Sequence, residues 1–132
     1  MDRPIGMLSF GTKQKISILS ALSSKPEVLI LDESLNGLDL TSIIVVKEVI
    51  REMIQNGHFV IFSTHILDLA EIMCNRVQIL DSGKKILEGN MDELNEEGEG
   101  GFLEKLFLQI TGKEDILEKA KKLGDSLFRS EE

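Results

Sequence analysis

The sequence is poor in cysteine and has no long apolar run, and each shortage excludes a class of structure. A single cysteine, Cys74, rules out an internal disulfide and a zinc site built only from cysteines. We expect Cys74 to be a small buried apolar residue in a protein of the reducing cytosol. No run approaches the roughly 20 apolar residues that span a bilayer, and Met1–Pro4 does not open a segment resembling a signal peptide. The sequence predicts a soluble protein.

Positive charge is also scarce. The chain has 15 Lys and Arg residues against 23 Asp and Glu residues, which gives a net charge of -8. A nucleic-acid-binding surface normally clusters Lys and Arg to neutralise phosphates, so we expect no nucleic-acid partner. What the chain does have is 42% apolar residues over 132 positions, enough to bury the core of one domain.

The apolar residues recur with the periods of an α/β fold. Four aliphatic residues run into two carboxylates at Val28–Glu33, which predicts a short strand buried on both faces. Ile16, Leu19 and Leu22 form a helical stripe before it, and a strand, a helix and a strand in this order form a βαβ unit with a parallel sheet. The predicted helices are Thr12–Leu22 with Ser9 as N-cap, Thr41–Asn56 capped by Gly57, Leu67–Cys74, Phe102–Ile110 and Asp115–Leu123; the predicted strands are Val28–Asp32, Phe59–Phe62, Val77–Leu80 and, after the Asp81–Lys84 turn, Lys85–Leu87.

Two adjacent carboxylates end the first predicted strand. Ligands of open parallel sheets bind where such strands end, and on a strand Asp32 and Glu33 would face opposite ways. One could hold a hydrated magnesium ion while the other orients a water molecule. Two exposed acids at a strand end are the simpler interpretation, and it stays open for the pair taken alone.

Four further residues have both a chemical and a structural interpretation. Ser9 and Gly11 lie at the start of a helix, where backbone N–H groups and the helix dipole bind anions such as phosphate. An ordinary serine cap is the alternative. His65 follows a strand end and could contact a phosphate, or be a structural histidine. Asp39 could simply cap the helix that follows it.

In combination these motifs resemble the ATPase subunit of ATP-binding cassette (ABC) transporters. The family's signature loop, Leu-Ser-Gly-Gly-Gln, is matched by Leu8–Thr12, and its Walker B strand by Val28–Asp32. Glu33 stands in the place of the catalytic base. Asn36–Asp39 is similar to the D-loop, and His65 fits the switch histidine. The resemblance continues through the hairpin and covers nearly the whole chain.

The resemblance implies the fold class and a domain organisation. The fold would be part of the P-loop NTPase fold of ABC ATPases: a parallel sheet with flanking helices, then a hairpin and helices, without the P-loop strand. Residues 1–94 would be the C-terminal part of the ATPase domain, and residues 102–132 a helical extension. The acidic, glycine-rich residues 95–101 between them predict a flexible linker.

The resemblance also implies that the complete protein hydrolyses ATP with Mg²⁺. Asp32 would hold the magnesium ion through water, and Glu33 would polarise the attacking water. His65 would contact the γ-phosphate. Because no P-loop sequence is present and it would lie before Met1, we expect the 132 residues alone to be inactive.

Two partners follow from the resemblance. ATP would be sandwiched between two ATPase subunits, with Ser9 and Gly11 gripping the γ-phosphate of the partner's ATP while Asp39 couples the two sites. Closure of this dimer would drive transport through a separate membrane-spanning permease. The protein would then be cytoplasmic and peripheral on the inner face of the cell membrane.

Three residues depart from the family pattern. Phe10 stands where glycine is usual and Thr12 where glutamine is usual, which affects how closely the signature loop can approach a phosphate. Ser34 replaces proline after Glu33 and should loosen that turn modestly. In the family the missing P-loop strand lies between the two strands predicted at Phe59–Phe62 and Val77–Leu80, so we expect the isolated chain to be marginal, rearranged or oligomeric.

Two alternative functions remain open from the sequence. The chain could be a non-catalytic, truncated interaction module that docks on an intact ABC ATPase through its signature face. It could also be the C-terminal lobe of a chromosome-maintenance ATPase, which shares the signature and Walker B motifs. The Ser63–His65 segment and the hairpin after it favour the transporter family.

Overall fold

The computed structural model describes residues 5–128, and the chain divides into two compact units between His65 and Ile66. The prediction about a signal peptide concerns Met1–Pro4, which lie outside the described residues. The first unit contains a short 3-10 helix (Ile5–Met7), α1 (Phe10–Ser23), β1 (Val28–Asp32), α2 (Leu40–Gln55) and β2 (Phe59–Ser63). The second contains α3 (Leu67–Met73), β3 (Arg76–Asp81), β4 (Lys84–Asn90), α4 (Met91–Leu94), α5 (Phe102–Ile110) and α6 (Asp115–Phe128).

The first unit is a βαβ arrangement. Strands β1 and β2 pair in parallel, with Val28 opposite Phe59 and Asp32 opposite Ser63. The connecting helix α2 has Asn56 as its C-cap residue, and Gly57, with a φ of +83°, donates its N–H to the Ile54 carbonyl at 3.1 Å. Glycine adopts this left-handed conformation without steric cost. The predicted α/β fold, its parallel pairing and the Gly57 cap are confirmed.

Strand β1 is covered on one face only, so the prediction that it is buried on both faces is wrong for this unit. Leu29 and Leu31 are 3% exposed, whereas Val28 is 49% and Ile30 68% exposed. Successive strand residues point to opposite faces, and the helices that contact the sheet, α1 and α2, cover only one of them. The exposed face continues onto β2 through Phe59 and Ile61.

The helix predicted at Thr12–Leu22 is confirmed as α1, but two of the three residues in its apolar stripe are exposed. Ile18 is the buried residue of this helix at 2% exposed, while Ile16 and Leu19 are 48% and 64% exposed. The inward face follows the spacing Gly11, Gln14, Ile18, Ala21, each at least partly buried. Gly11 and Ala21 are small and Gln14 is polar, so this face carries few large apolar side chains from which a periodicity analysis could detect it.

The second unit is built around a hairpin. Strands β3 and β4 pair antiparallel through a turn in which Ser82 and Gly83 both have positive φ, as tight hairpin turns require. Leu103 of α5 is fully buried against this hairpin, in a cluster whose other buried members are Ala70, Ile79 and Met91. The hairpin, α3 and α5 confirm the predicted elements, whereas α4 was not predicted.

Cys74 and the last helix of the second unit differ from their predictions. Cys74 is only half-buried, packs against the core cluster and donates its thiol to the Ala70 carbonyl; burial raises the pKa of the Cys74 thiol. Helix α6 extends to Phe128 and has no buried residue. Within residues 5–128, no helix has the length and apolar character needed to cross a membrane.

The segment 95–101 forms a loop with specific contacts. The Asn95 side chain bonds both the N–H and the carbonyl of Glu99, at 3.0 and 2.9 Å. Because α5 packs in the same unit as the hairpin, the boundary between compact units lies at residue 65 and not in this loop. The division into an ATPase part at residues 1–94, a linker at residues 95–101 and a helical extension at residues 102–132 stays a prediction.

Candidate functional site

The carboxyl ends of β1 and β2 bring Asp32 next to Ser63. The Ser63 hydroxyl donates to Asp32 Oδ1. The Glu33 N–H donates to both the carbonyl and the hydroxyl oxygen of Ser63, each at 3.1 Å. Parallel pairing produces this cluster, because it places the ends of both strands at the same edge of the sheet.

Glu33 leaves the strand in an uncommon conformation. Its φ is +50°, in the left-handed region that few residues other than glycine adopt. The prediction that Asp32 and Glu33 face opposite ways assumed strand geometry at Glu33, which the structure does not have. Such conformations concentrate at functional sites, where the surrounding contacts enforce them.

The Glu33 carboxylate is held by two side chains. His65 Nδ1 lies 3.1 Å from Glu33 Oε2, and the Asn36 side-chain amide donates to the same oxygen. A carboxylate only accepts, so Nδ1 of His65 carries a proton and donates to Glu33. The Glu33 and His65 side chains are 44% and 75% exposed, so a ligand can reach both.

Asp32 suits a magnesium ion that is shared with a nucleotide. Its carboxylate is exposed at the end of β1, and Ser63 engages one of its oxygens. Within the described part of the chain, no three His, Cys, Asp or Glu side chains group closely enough to hold a metal ion by themselves. Magnesium usually takes one or two protein carboxylates and completes its shell with water and phosphate oxygens, so a single carboxylate fits.

Ser9 caps helix α1. Its hydroxyl oxygen accepts the N–H of Thr12 at 3.2 Å and also bonds the Thr12 hydroxyl at 2.8 Å. The structural interpretation of Ser9 as an N-cap is therefore confirmed. A phosphate contact by Ser9 and Gly11 stays a prediction.

The signature loop packs directly on the D-loop. A Cβ atom added to Gly11 would lie 3.0 Å from the Gly37 carbonyl oxygen. A Cβ atom added to Gly37, whose φ is +77°, would lie 2.9 Å from the Phe10 ring. Phe10 replaces a glycine of the family pattern, and its ring covers Gly37. Both glycines are therefore required by close approach between the two motifs.

Asp39 joins these two motifs electrostatically. It occupies the N-cap position of α2, where its side chain accepts from the Ser42 hydroxyl and forms an ion pair with Lys15 of α1 at 3.0 Å. The Ser42 hydroxyl, and then Lys15, hold the pKa of Asp39 below its usual value of 3.8. No backbone N–H bonds this side chain, so Asp39 occupies the N-cap position but the predicted side-chain cap of α2 is not formed.

The structure sorts the six predicted site residues into two groups. Asp32, Glu33 and His65 meet at the strand ends, while Ser9, Gly11 and Asp39 belong to the packed signature and D-loops. Three residues that complete these groups were not predicted: Ser63, Asn36 and Lys15. Ser63 lies at the end of β2 and Asn36 in the D-loop, so their positions in known motifs were a signal that could have identified them.

Comparison with known proteins gives a consistent set of relatives. No family model matches the chain. It is 36% identical over 93 residues to the ABC transporter ATP-binding protein YhaQ of Bacillus subtilis, covering 70% of this chain and 31% of that protein. It is 32% identical over 108 residues to the ABC transporter ATP-binding protein NatA of the same organism, covering 82% and 44%. It is 33% identical over 106 residues to the Nod factor export ATP-binding protein I of a Rhizobium species, covering 80% and 35%.

Solved structures agree with these relatives. The fold matches an ATP-binding subunit of an ABC transporter with a TM-score of 0.71 and 32% identity, over 80% of this chain and 45% of that one. It also matches CbiO1 of Clostridium perfringens, part of the ABC transporter complex CbiONQ, with a TM-score of 0.57 and 31% identity, over 89% and 46%. The structure is thus part of an α/β ATPase domain of the P-loop NTPase class. The chain belongs to the family of ABC transporter ATP-binding proteins, and it spans less than half the length of these relatives.

Proposed function

We propose that this chain acts as part of the ATP-hydrolysing subunit of an ABC transporter and energises transport through a separate membrane-spanning permease. The observation that carries the proposal is the contact of Glu33 Oε2 with His65 Nδ1 at 3.1 Å, beside Asp32 at the strand ends. Family membership supports it, since the relatives are ATP-binding subunits and one of them is an export ATP-binding protein.

Glu33 is the general base in this proposal. Its side chain is partly exposed, and the contacts with His65 and Asn36 fix one carboxylate oxygen, which leaves Oε1 to accept a hydrogen bond from the attacking water. His65 would orient Glu33 through Nδ1–H, and in the doubly protonated imidazolium form its Nε2–H would donate to a γ-phosphate oxygen. In-line attack requires that the water and the phosphoryl group are both held in position. Glu33 and His65 would hold them from neighbouring strand ends.

Asp32 would hold Mg²⁺ through water, with the Ser63 hydroxyl fixing the direction of the carboxylate. When bound, the ion would supply neutralisation of the negative charge that develops during phosphoryl transfer. Ser63 also accepts the Glu33 N–H, so one side chain sets the positions of both acids.

The signature loop and D-loop would serve a second ATPase subunit. Ser9 and Gly11 at the N-terminus of α1 would face the γ-phosphate of the ATP bound by that subunit. Asp39, tied to α1 by Lys15, would couple the two ATP sites of the dimer. Such a pair would work at the cytoplasmic face of the cell membrane, docked on the permease.

The test replaces the proposed base. In a subunit that carries a P-loop together with these residues, Glu33→Gln keeps the shape of the side chain but removes its basicity. We expect ATP turnover to fall at least about 100-fold, the lower end of what a general base contributes, while ATP binding changes less than about twofold.

A matched control is Glu27→Gln, which alters an exposed glutamate just before the other end of β1 and should leave turnover unchanged. Undiminished turnover in Glu33→Gln would refute the assignment of the base.

A further inference from the structure

We infer that Asn36 is a positioning residue that fixes the Glu33 carboxylate for catalysis, an inference that rests on the proposed function. Asn36 belongs to the D-loop motif, for which the resemblance implies only a role between subunits. The geometry gives it a second role within its own subunit.

The contact geometry is specific. The Asn36 Nδ2 group donates to Glu33 Oε2, and the Asn36 backbone N–H lies 3.3 Å from the Glu33 carbonyl oxygen. The two residues are thus joined through both side chain and backbone. His65 Nδ1 approaches the same Oε2 at 3.1 Å. Two donors on one oxygen hold the carboxylate in one rotamer and leave Oε1 as the acceptor for a water molecule.

The orientation of the Asn36 amide follows from its surroundings. If the amide were reversed, its oxygen would face a carboxylate oxygen, and two acceptors cannot bond each other. The Nδ2 group must therefore point at Glu33. This orientation leaves Asn36 Oδ1 buried without a hydrogen-bond partner among residues 5–128.

An unpaired buried acceptor is unfavourable for folding. A leucine has the same number of side-chain heavy atoms and the same branching as asparagine and would avoid this penalty, so hydrogen bonding within the fold does not by itself favour asparagine at position 36. The amide N–H on Glu33 is the feature that leucine cannot replace. Fixing a reacting group in advance lowers the barrier of the chemical step and contributes little to substrate binding.

The experiment uses the subunit with its P-loop and compares Asn36→Leu and Asn36→Asp with the parent protein. Both variants lose the donor to Glu33, and the aspartate also places a like charge beside it. We expect kcat to fall about 10- to 100-fold in Asn36→Leu, the range that a hydrogen bond to a charged group supplies, and at least as far in Asn36→Asp. KM for ATP should change less than about twofold, and Tm of Asn36→Leu should be unchanged or raised.

Asn56→Leu is the matched control. The Asn56 side chain donates to the Glu52 carbonyl at 2.7 Å at the far end of α2 and touches neither acid. It should show the reverse pattern, with a lowered Tm and an unchanged kcat.

Three outcomes overturn the inference. Unchanged kcat in Asn36→Leu, with Glu33→Gln inactive, would refute the role of Asn36 alone and leave the proposed function standing. A fall in kcat accompanied by a clearly lowered Tm and a raised KM would show that Asn36 is structural. Full activity in Glu33→Gln would refute the proposed function, and the inference with it.

Discussion

One acidic side chain, Glu71, supports the packing of α5 on the rest of the second unit. Removing this side chain gives a quantitative test of the fold. Glu71 of α3 reaches the N-terminus of α5, where Oε2 accepts the Gly101 N–H at 2.9 Å and Oε1 accepts the Leu103 N–H at 2.8 Å. The first N–H groups of a helix have no partner within the helix. Glu71 therefore caps α5 from another element, directly beside the fully buried Leu103.

The expected effect of Glu71→Ala follows from these two bonds. Loss of a side-chain cap costs about 1 kcal/mol, and a charged acceptor roughly doubles the strength of each bond. Glu71 is partly buried, so water replaces the lost bonds only in part. We expect a loss of about 2 kcal/mol in the free energy of α5 docking, which corresponds to an approximately 30-fold larger opening constant.

Hydrogen exchange of the amides in residues 103–110, followed by mass spectrometry, measures this opening directly. Glu104→Ala is the control, because it removes an exposed glutamate from the first turn of α5. Like Glu71→Ala, it replaces glutamate by alanine in a helix, so the change in intrinsic helix propensity is the same. It should change the exchange rate by less than about threefold. Equal effects of the two substitutions would refute the capping argument, since helix charge alone would then account for the result.

Two further predictions concern the D-loop and the hairpin. Gly37→Ala should lower the free energy of unfolding by about 1 kcal/mol more than Gly57→Ala. Both glycines have positive φ, but only the methyl group added at position 37 would push against the Phe10 ring. Equal losses in urea titrations would contradict this prediction. Lys85, and then Arg76, lower the pKa of Glu88 from 4.5 to about 2. The ionised Glu88 carboxylate therefore stabilises the folded state, and the parent protein should lose this stabilisation as pH falls from about 4.5 to about 2. Glu88→Gln should flatten that part of the curve in thermal melts, and an unaltered pH dependence would contradict the pairing.

The sequence predicted those parts of the fold that depend on local patterns. The aliphatic run before Asp32, the cap residue Ser9 and the glycine at position 57 each act through neighbours close in sequence, and the structure confirms all three elements. Strand coverage was not predictable in the same way. An apolar run such as Val28–Leu31 indicates that both faces can be buried, whereas the helices of the first unit decide that only one is.

The same distinction separates the parts of the candidate site. Motif positions gave Asp32, Glu33 and His65, and parallel pairing brings them to one edge of the sheet. Lys15 was missed because it lies one helical turn past the signature loop, and only the packing of α1 on the D-loop places it 3.0 Å from Asp39. Contacts of this kind depend on tertiary packing that no spacing rule contains.

The turn after Glu33 shows how a departure from a motif can be compensated locally. Serine replaces the usual proline at position 34, and the prediction was a modestly looser turn. In the structure the Ser34 hydroxyl donates to the Asp32 carbonyl at 3.2 Å, and the Asn36 N–H closes the next part of the turn on Glu33. A proline restricts a turn through its ring, whereas here side-chain and backbone hydrogen bonds restrict it. Because the same contacts hold Glu33 at a φ of +50°, the strained conformation of the proposed base is maintained without the proline.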